Sequence, residues 1–129
     1  MTDWRFAEAD NSNAWFEEDV QSFLPSVLPA VERALIEILE NPLGNPQAVI
    51  RGEVVYIKRL NPALVNGEVV PALLLAYTAS HRDRLIRKLA LCRAADVAPD
   101  GIASTDDEIL RALQRLVDTA IRRAQRRSH

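Results

Sequence analysis

Two runs rich in β-branched and apolar residues, QAVIRGEVVYIKRL (47–60) and EVVPALLLAYTAS (68–80), flank the short segment NPALVNG (61–67). No other feature narrows the fold as much. Asn66-Gly67 supplies two adjacent residues that tolerate positive φ, which a two-residue hairpin turn needs. The pattern therefore predicts antiparallel strands from the middle of the chain. Pro71 has no N–H to give to a ladder, so it belongs near the start of its strand or on an edge.

Helical spacing governs the residues before this region. From Ala14 to Glu40 apolar side chains recur as Trp15, Phe16, Val20, Phe23 and Leu24, then Val27, Leu28, Val31, Leu35, Ile38 and Leu39. Pro25 and Pro29 interrupt the run, each lacking an N–H and clashing with the preceding turn. Two helices, or one strongly kinked helix, are expected, broken near 24–29. ENPLGNP (40–46) stops the second. Ahead of them WRFAEA (4–9) reads as a short first strand. DNSN (10–13) reads as a cap, with Ser12 or Asn13 accepting from free helical N–H groups. Glu17, Glu18 and Asp19 then place negative charge in the first turns.

AYTASHRDRLIRKLALCR (76–93) reads two ways. As a helix, Ser80 caps it, and Leu85, Ile86, Leu89 and Cys92 share one face. As a strand, RLIRKLALC pairs with 68–79 through a tight SHRD turn. Strict alternation fails at Leu85-Ile86 and Arg87-Lys88, which favours helix; length and the tight turn permit strand. DVAPDGIAS (96–104) reads as a loop. The stretch 104–127 is the clearest helix. Ser104 or Thr105 caps it, acids load its start and arginines its end. Ile109, Leu110, Leu113, Leu116, Val117, Ala120 and Ile121 form its apolar stripe.

These elements predict an α+β fold, a small antiparallel sheet packed against two N-terminal helices and a C-terminal helix, in one domain spanning 1–129. The length suffices for a real core. No apolar run approaches the roughly 18 residues of a spanning helix, and the polar, acidic start is unlike a signal peptide. The one cysteine, Cys92, fits a reducing, cytoplasmic setting and a small core residue.

Charge is divided along the chain. Residues 1–45 carry nine acidic and two basic residues, and residues 46–129 carry fourteen basic and nine acidic, for a total of −2. Such asymmetry points to an anionic partner for the basic half, or to two halves that neutralise each other on packing. Neither a zinc-site spacing nor a Gly-rich phosphate loop occurs, and no cofactor or metal is expected. The clustered acids are explained by helix capping. Basic chemistry remains: Arg59, His81, Arg82, Arg87 and Lys88 are the candidate site. Gathered on one sheet face they would bind phosphate, with Arg or Lys stabilising a developing phosphorane and His81 or Lys88 as acid or base. Trp4, Tyr56 and Tyr77 are available to stack on bases, although an aromatic in an apolar strand usually belongs to a core.

The order of elements resembles the RelE/ParE toxins of bacterial toxin–antitoxin pairs, including their HigB-like branch. LPAVERALIEILENPLGNP (28–46), RGEVVYIKRL (51–60) and NGEVVPALLLAYTASHRDRLIRKLAL (66–91) carry the resemblance. It implies a domain that binds the ribosome and cleaves mRNA without a metal, or that inhibits gyrase, and that a small antitoxin neutralises. Arg59 stands where the family often has a basic residue closing a strand. The arginine usual in the next strand is replaced by the stretch Pro71–Leu73. The alternative from another class is a non-enzymatic protein-interaction module, homodimeric or derived from a phage or mobile element.

Overall fold

Proline decides where the central strands of this chain stop. The structure, a computed structural model, describes residues 3–7, 11–23, 25–50 and 52–97, together with 111, 114, 117, 118, 121 and 122. The elements are β1 (Arg5–Phe6), α1 (Asn11–Gln21), a 3₁₀ turn (Pro25–Val27), α2 (Leu28–Glu40), β2 (Gln47–Ile50), β3 (Glu53–Leu60), β4 (Ala63–Val65), β5 (Glu68–Val70), β6 (Leu73–Ser80), β7 (Leu85–Arg93) and α3 (Ala94–Val97). The fold is α+β. Five strands form one sheet in the order β1-β7-β6-β3-β2, and β4-β5 form a second, two-stranded sheet.

Three expectations are corrected here. The main sheet is mixed, not antiparallel, because β1 runs parallel to β7, with Arg5 opposite Leu85. The run 47–60 is two strands: Gly52 takes φ 79° and turns the chain, so that Ile50 faces Glu53. The Asn66-Gly67 turn does not join the two long runs. It closes β4 on β5, with both residues at positive φ, while β3 pairs with β6 directly from Leu60 opposite Leu73. Pro62 and Pro71 explain the last point. Neither can donate to a ladder, so the long pairing halts at both and the segment between them folds on itself.

The helical break falls where proline requires it. Pro25 opens the 3₁₀ turn, and Pro29 sits in the first turn of α2, where its missing N–H would have no intrahelical partner. Ser12 and Asn13, expected to precede the helix, lie inside α1, which starts at Asn11. The loop reading of 96–104 is corrected at its start, where α3 runs to Val97; residues 98–104 lie outside the described residues.

The open question over 76–93 is resolved as strand: Leu85-Ile86 and Arg87-Lys88 alternate regularly opposite β6, and a bulge follows them. Ala76 faces Ala90 but Tyr77 faces Lys88, so Leu89 is an extra residue in β7. A β-bulge of this kind puts two consecutive residues on one face. Leu89 and Ala90 both enter the same core cluster, while Ile86 and Leu91 enter the opposite one.

Each face of the sheet is covered. On one, Phe16 of α1 and Val31, Ala34 and Ile38 of α2 pack against Tyr56, Leu73, Leu75, Tyr77 and Ile86. On the other, Ile50, Val55, Ile57, Leu74 and Ala76 pack with Val117 and Ile121, which belong to the expected C-terminal helix. The described residues of that stretch are helical, and Arg122 pairs with Asp118 one turn back at 2.9 Å. Its expected caps, and Ile109, Leu110, Leu113, Leu116 and Ala120, lie outside the described residues.

Tyr77 ties the loop after α2 to the sheet. Its ring stacks on Tyr56 with centroids 5.3 Å apart. Its hydroxyl donates to the Pro42 carbonyl at 2.7 Å and accepts from Asn45 Nδ2 at 2.8 Å. Burial pushes the phenol from 10.0 up to about 12, with the Asn45 hydrogen bond opposing and Tyr56 adding to the rise. The folded protein thus holds this proton more tightly than the unfolded chain does. Its contribution is intact below pH 10, falls as pH rises, and levels off above about 12. Tyr77→Phe should cost about 1–3 kcal/mol, since two polar groups lose their partner. It should also flatten the alkaline limb of a stability–pH curve measured by urea denaturation. An unchanged limb would show that another group titrates there.

Candidate functional site

The parallel pairing of β1 with β7 builds an exposed cationic site. Arg5 N–H donates to the Arg84 carbonyl at 3.1 Å and Ala7 N–H to that of Ile86 at 2.8 Å. This brings Trp4, just before β1, against the turn between β6 and β7. The Arg84 guanidinium lies over the Trp4 ring, 5.4 Å from its centroid. His81 meets the same ring edge-on at 5.9 Å. The turn is held by Ser80, whose hydroxyl accepts from Asp83 N–H at 3.3 Å. Arg84 takes φ 53°, a left-handed conformation uncommon outside glycine. His81, Arg82, Asp83 and Arg84 are all exposed. The Trp4 ring thus carries a guanidinium over its face and an imidazole in edge contact, a cation–π arrangement at the exposed end of the sheet.

Arg87 belongs to the same end. It points to the opposite face of β7 from Lys88 and lines a cavity of about 300 Å³ with Glu53, Thr78, Ser80 and Asp83. His81, Arg82 and Arg87 therefore lie at one end of the sheet with Arg84 and Trp4, but Trp4 packs on the face of α1 and α2 while Arg87 points to the other.

The other two candidates are elsewhere. Arg59 faces Leu74 near the far end of β6. His81 comes seven residues later, roughly 23 Å along the strand at about 3.3 Å per residue. Arg59 there lines two adjoining cavities, of about 230 and 270 Å³. Lys88 is only 7% exposed. Its ammonium lies 5.2 Å from the Phe6 ring and 5.3 Å from the Phe16 ring, with Glu17 Oε1 at 3.7 Å. The sheet does not gather the five residues on one face: alternation sends Arg87 and Lys88 to opposite sides, and strand length separates Arg59.

Part of the charge division is neutralised internally. Lys58 and Glu37 pair at 2.6 Å, and the hydrogen bond and charge of Lys58 lower the Glu37 carboxyl below its usual value, with Arg33 assisting. Glu17 meets Lys88, and Asp19 Oδ2 accepts from Leu91 N–H at 3.3 Å beside the bulge. Tyr56 and Tyr77 are core residues. Trp4 is half-exposed, and its role depends on a strand pairing over some eighty residues that no local pattern signals. Arg84 had a local signal in SHRDR but no pattern marking it off from its neighbours. Among the described residues no three His, Cys, Asp or Glu side chains gather as a metal site, and no helix is long and apolar enough to cross a membrane.

Comparison of the chain with family models, with curated proteins and with solved structures finds no match.

Proposed function

We propose that the chain is a RelE/ParE-like toxin domain that binds RNA, in its ribosomal setting, through the end of the sheet formed by Trp4 and the 81–84 turn, and that a protein antitoxin neutralises it. The observation that carries the RNA half is the contact of the Trp4 ring with both Arg84 and His81 of an exposed turn. The order of strand, two helices and strands supports the family half, with 28–46 forming α2 and its stop, and 66–91 forming β5 to β7. In this reading His81, Arg82 and Arg87 bind phosphate with Arg84. Lys88 positions α1 and β1 from beneath, and Arg59 lies outside the RNA surface.

The test is RNA binding by the wild type, by Arg82→Glu/Arg87→Glu and by Trp4→Ala, at two salt concentrations with thermal melts in parallel. Wild-type affinity should fall steeply with salt as counterions are released. Charge reversal at two phosphate ligands should weaken binding about tenfold or more and reduce the salt slope by roughly two. Loss of stacking in Trp4→Ala should cost about 1–3 kcal/mol of binding. Induced expression should arrest bacterial growth, and the double mutant should not. Binding that ignores salt, or a double mutant that binds equally well, rejects the reading.

One observation favours a second reading, a homodimeric interaction module. The edge strand β2 carries no charge among its four residues, and Val49 on it is 70% exposed beside the exposed Val54 of β3. Charge, proline or a bulge normally guards such an edge. An antiparallel β2–β2 pairing between two copies would cover it. Sedimentation equilibrium should then give a dimer that Val49→Lys converts to monomer; a monomeric wild type ends this reading.

A further inference from the structure

Arg5 stands one residue from Trp4 but on the other side of the sheet. β1 pairs with β7 in register, Arg5 beside Leu85 and Phe6 beside Ile86, and neighbours across a ladder share a face. Trp4 and Phe6 pack with Ile86 on the side of α1 and α2. Arg5 therefore rises from the opposite side, the side of Leu85 and Arg87. With strands about 4.8 Å apart and about 3.3 Å per residue, the Cα atoms of Arg5 and Arg87 are roughly 8 Å apart. Arg5 is exposed, and no acid among the described residues pairs with it. Asp83, the acid of the adjoining turn, accepts from the Ser80 hydroxyl at 3.4 Å. The Arg5 N–H donates to the Arg84 carbonyl, which fixes the base of one arginine beside the other. Yet the Arg84 guanidinium stays over the Trp4 ring, so the two cations flank β1 from its two sides. β1 is two residues long and ends the five-stranded sheet, which makes it a narrow edge.

We infer that a polynucleotide passes round this edge, with Arg84 on one side and Arg5 as a phosphate ligand on the other, and that it is single-stranded there. The inference rests on the RNA reading and adds to it one residue and a path. The path joins the Trp4 side to the Arg87 side, which no ligand confined to one face of the sheet can do. A planar guanidinium fork matches phosphate. A double helix is too stiff to fold about one strand, since the persistence length of duplex DNA is roughly 150 base pairs. A single strand can turn there.

The probes are oligouridylate, which stays single-stranded, and an oligo(A)·oligo(U) duplex of equal length, bound to the full chain at two salt concentrations. Oligouridylate should bind about tenfold or more tightly than the duplex. Arg5→Gln should weaken it about tenfold, the effect of losing a hydrogen bond between charged groups. The salt slope should fall by about 0.7, as for one phosphate of a single strand. Arg5→Lys should keep the slope, and neither variant should move the thermal midpoint. Arg33→Gln, exposed on α2 and lining a cavity with Arg59, removes the same charge far from the edge and should bind as wild type does. Equal losses in Arg5→Gln and Arg33→Gln would overturn the assignment, as would equal affinity for the duplex. If Arg82→Glu/Arg87→Glu weakens binding but Arg5→Gln does not, the path round β1 fails and the RNA reading stands. A wild type without salt-sensitive binding overturns both.

Discussion

Lys88→Glu should unfold the domain or lower its stability by about 3–5 kcal/mol, the cost of leaving an uncompensated charge buried. The wild-type ammonium is held almost out of water by two aromatic faces, from Phe6 of β1 and Phe16 of α1. Each such contact contributes about 0.5–2 kcal/mol when desolvated. Glu17 adds little, because it is half-exposed and 3.7 Å away, and such pairs are screened. A glutamate in this place turns a carboxylate toward the negative faces of both rings and toward Glu17. Total stability of a domain this size is of order 5–15 kcal/mol, so the loss is a large share of it. Lys88→Met separates charge from packing. It keeps the stem, removes the desolvation cost, and should stay within about 1 kcal/mol of wild type, as apolar replacements of buried ions often do. Urea denaturation of the three proteins gives the comparison. A stable Lys88→Glu would mean that α1 and β1 do not close over this position.

Val117→Asp should be comparably damaging, costing about 3 kcal/mol or more through burial of an unpaired carboxylate. Val117 is 0% exposed and sits with Ile50, Val55, Ile57, Leu74 and Ala76 on the sheet face opposite α1 and α2. Gln114→Asp, one helical turn earlier and exposed, is the control and should change stability by less than about 0.5 kcal/mol. Equal melts for both variants would show that this helix does not cover the sheet. If the pair differs as expected, the second face is closed in solution. The RNA reading then rests on the turn end and not on the sheet face.

The proteins that test the RNA reading also separate it from simple destabilisation. Arg82 and Arg87 are exposed, so their reversal should leave the melt nearly unchanged while affinity falls. Lys88→Glu should do the reverse, damaging the fold first.

Local chemistry was enough for some of this molecule. Pro25 and Pro29 mark the break between the helices, and the spacing Val31, Leu35, Ile38 marks the buried side of α2. Asn66-Gly67 marks a hairpin. Each depends on a residue's own dihedral limits or on a period of 3.6, which neighbours a few positions apart reveal. What those residues join was decided by long-range pairing. Two prolines diverted the hairpin into a separate ribbon. The run 85–93 is a strand although its adjacent apolar pair imitates a helix, because both faces of the sheet are covered and apolar residues are accepted on each. For the candidate site the division is sharper. The sequence pointed to His81, Arg82 and Arg87 as a basic group, and they do share one end of the sheet. It had no means of showing that Lys88, next to Arg87, faces the other way under Phe6 and Phe16, nor that Arg59 lies a strand's length away. Strand alternation sets a side chain's face, but only a parallel partner nearly eighty residues distant brings Trp4 to Arg84. Cores form by contacts among residues remote in sequence, so the surroundings of a charge, and with them its role, are properties of the packed molecule.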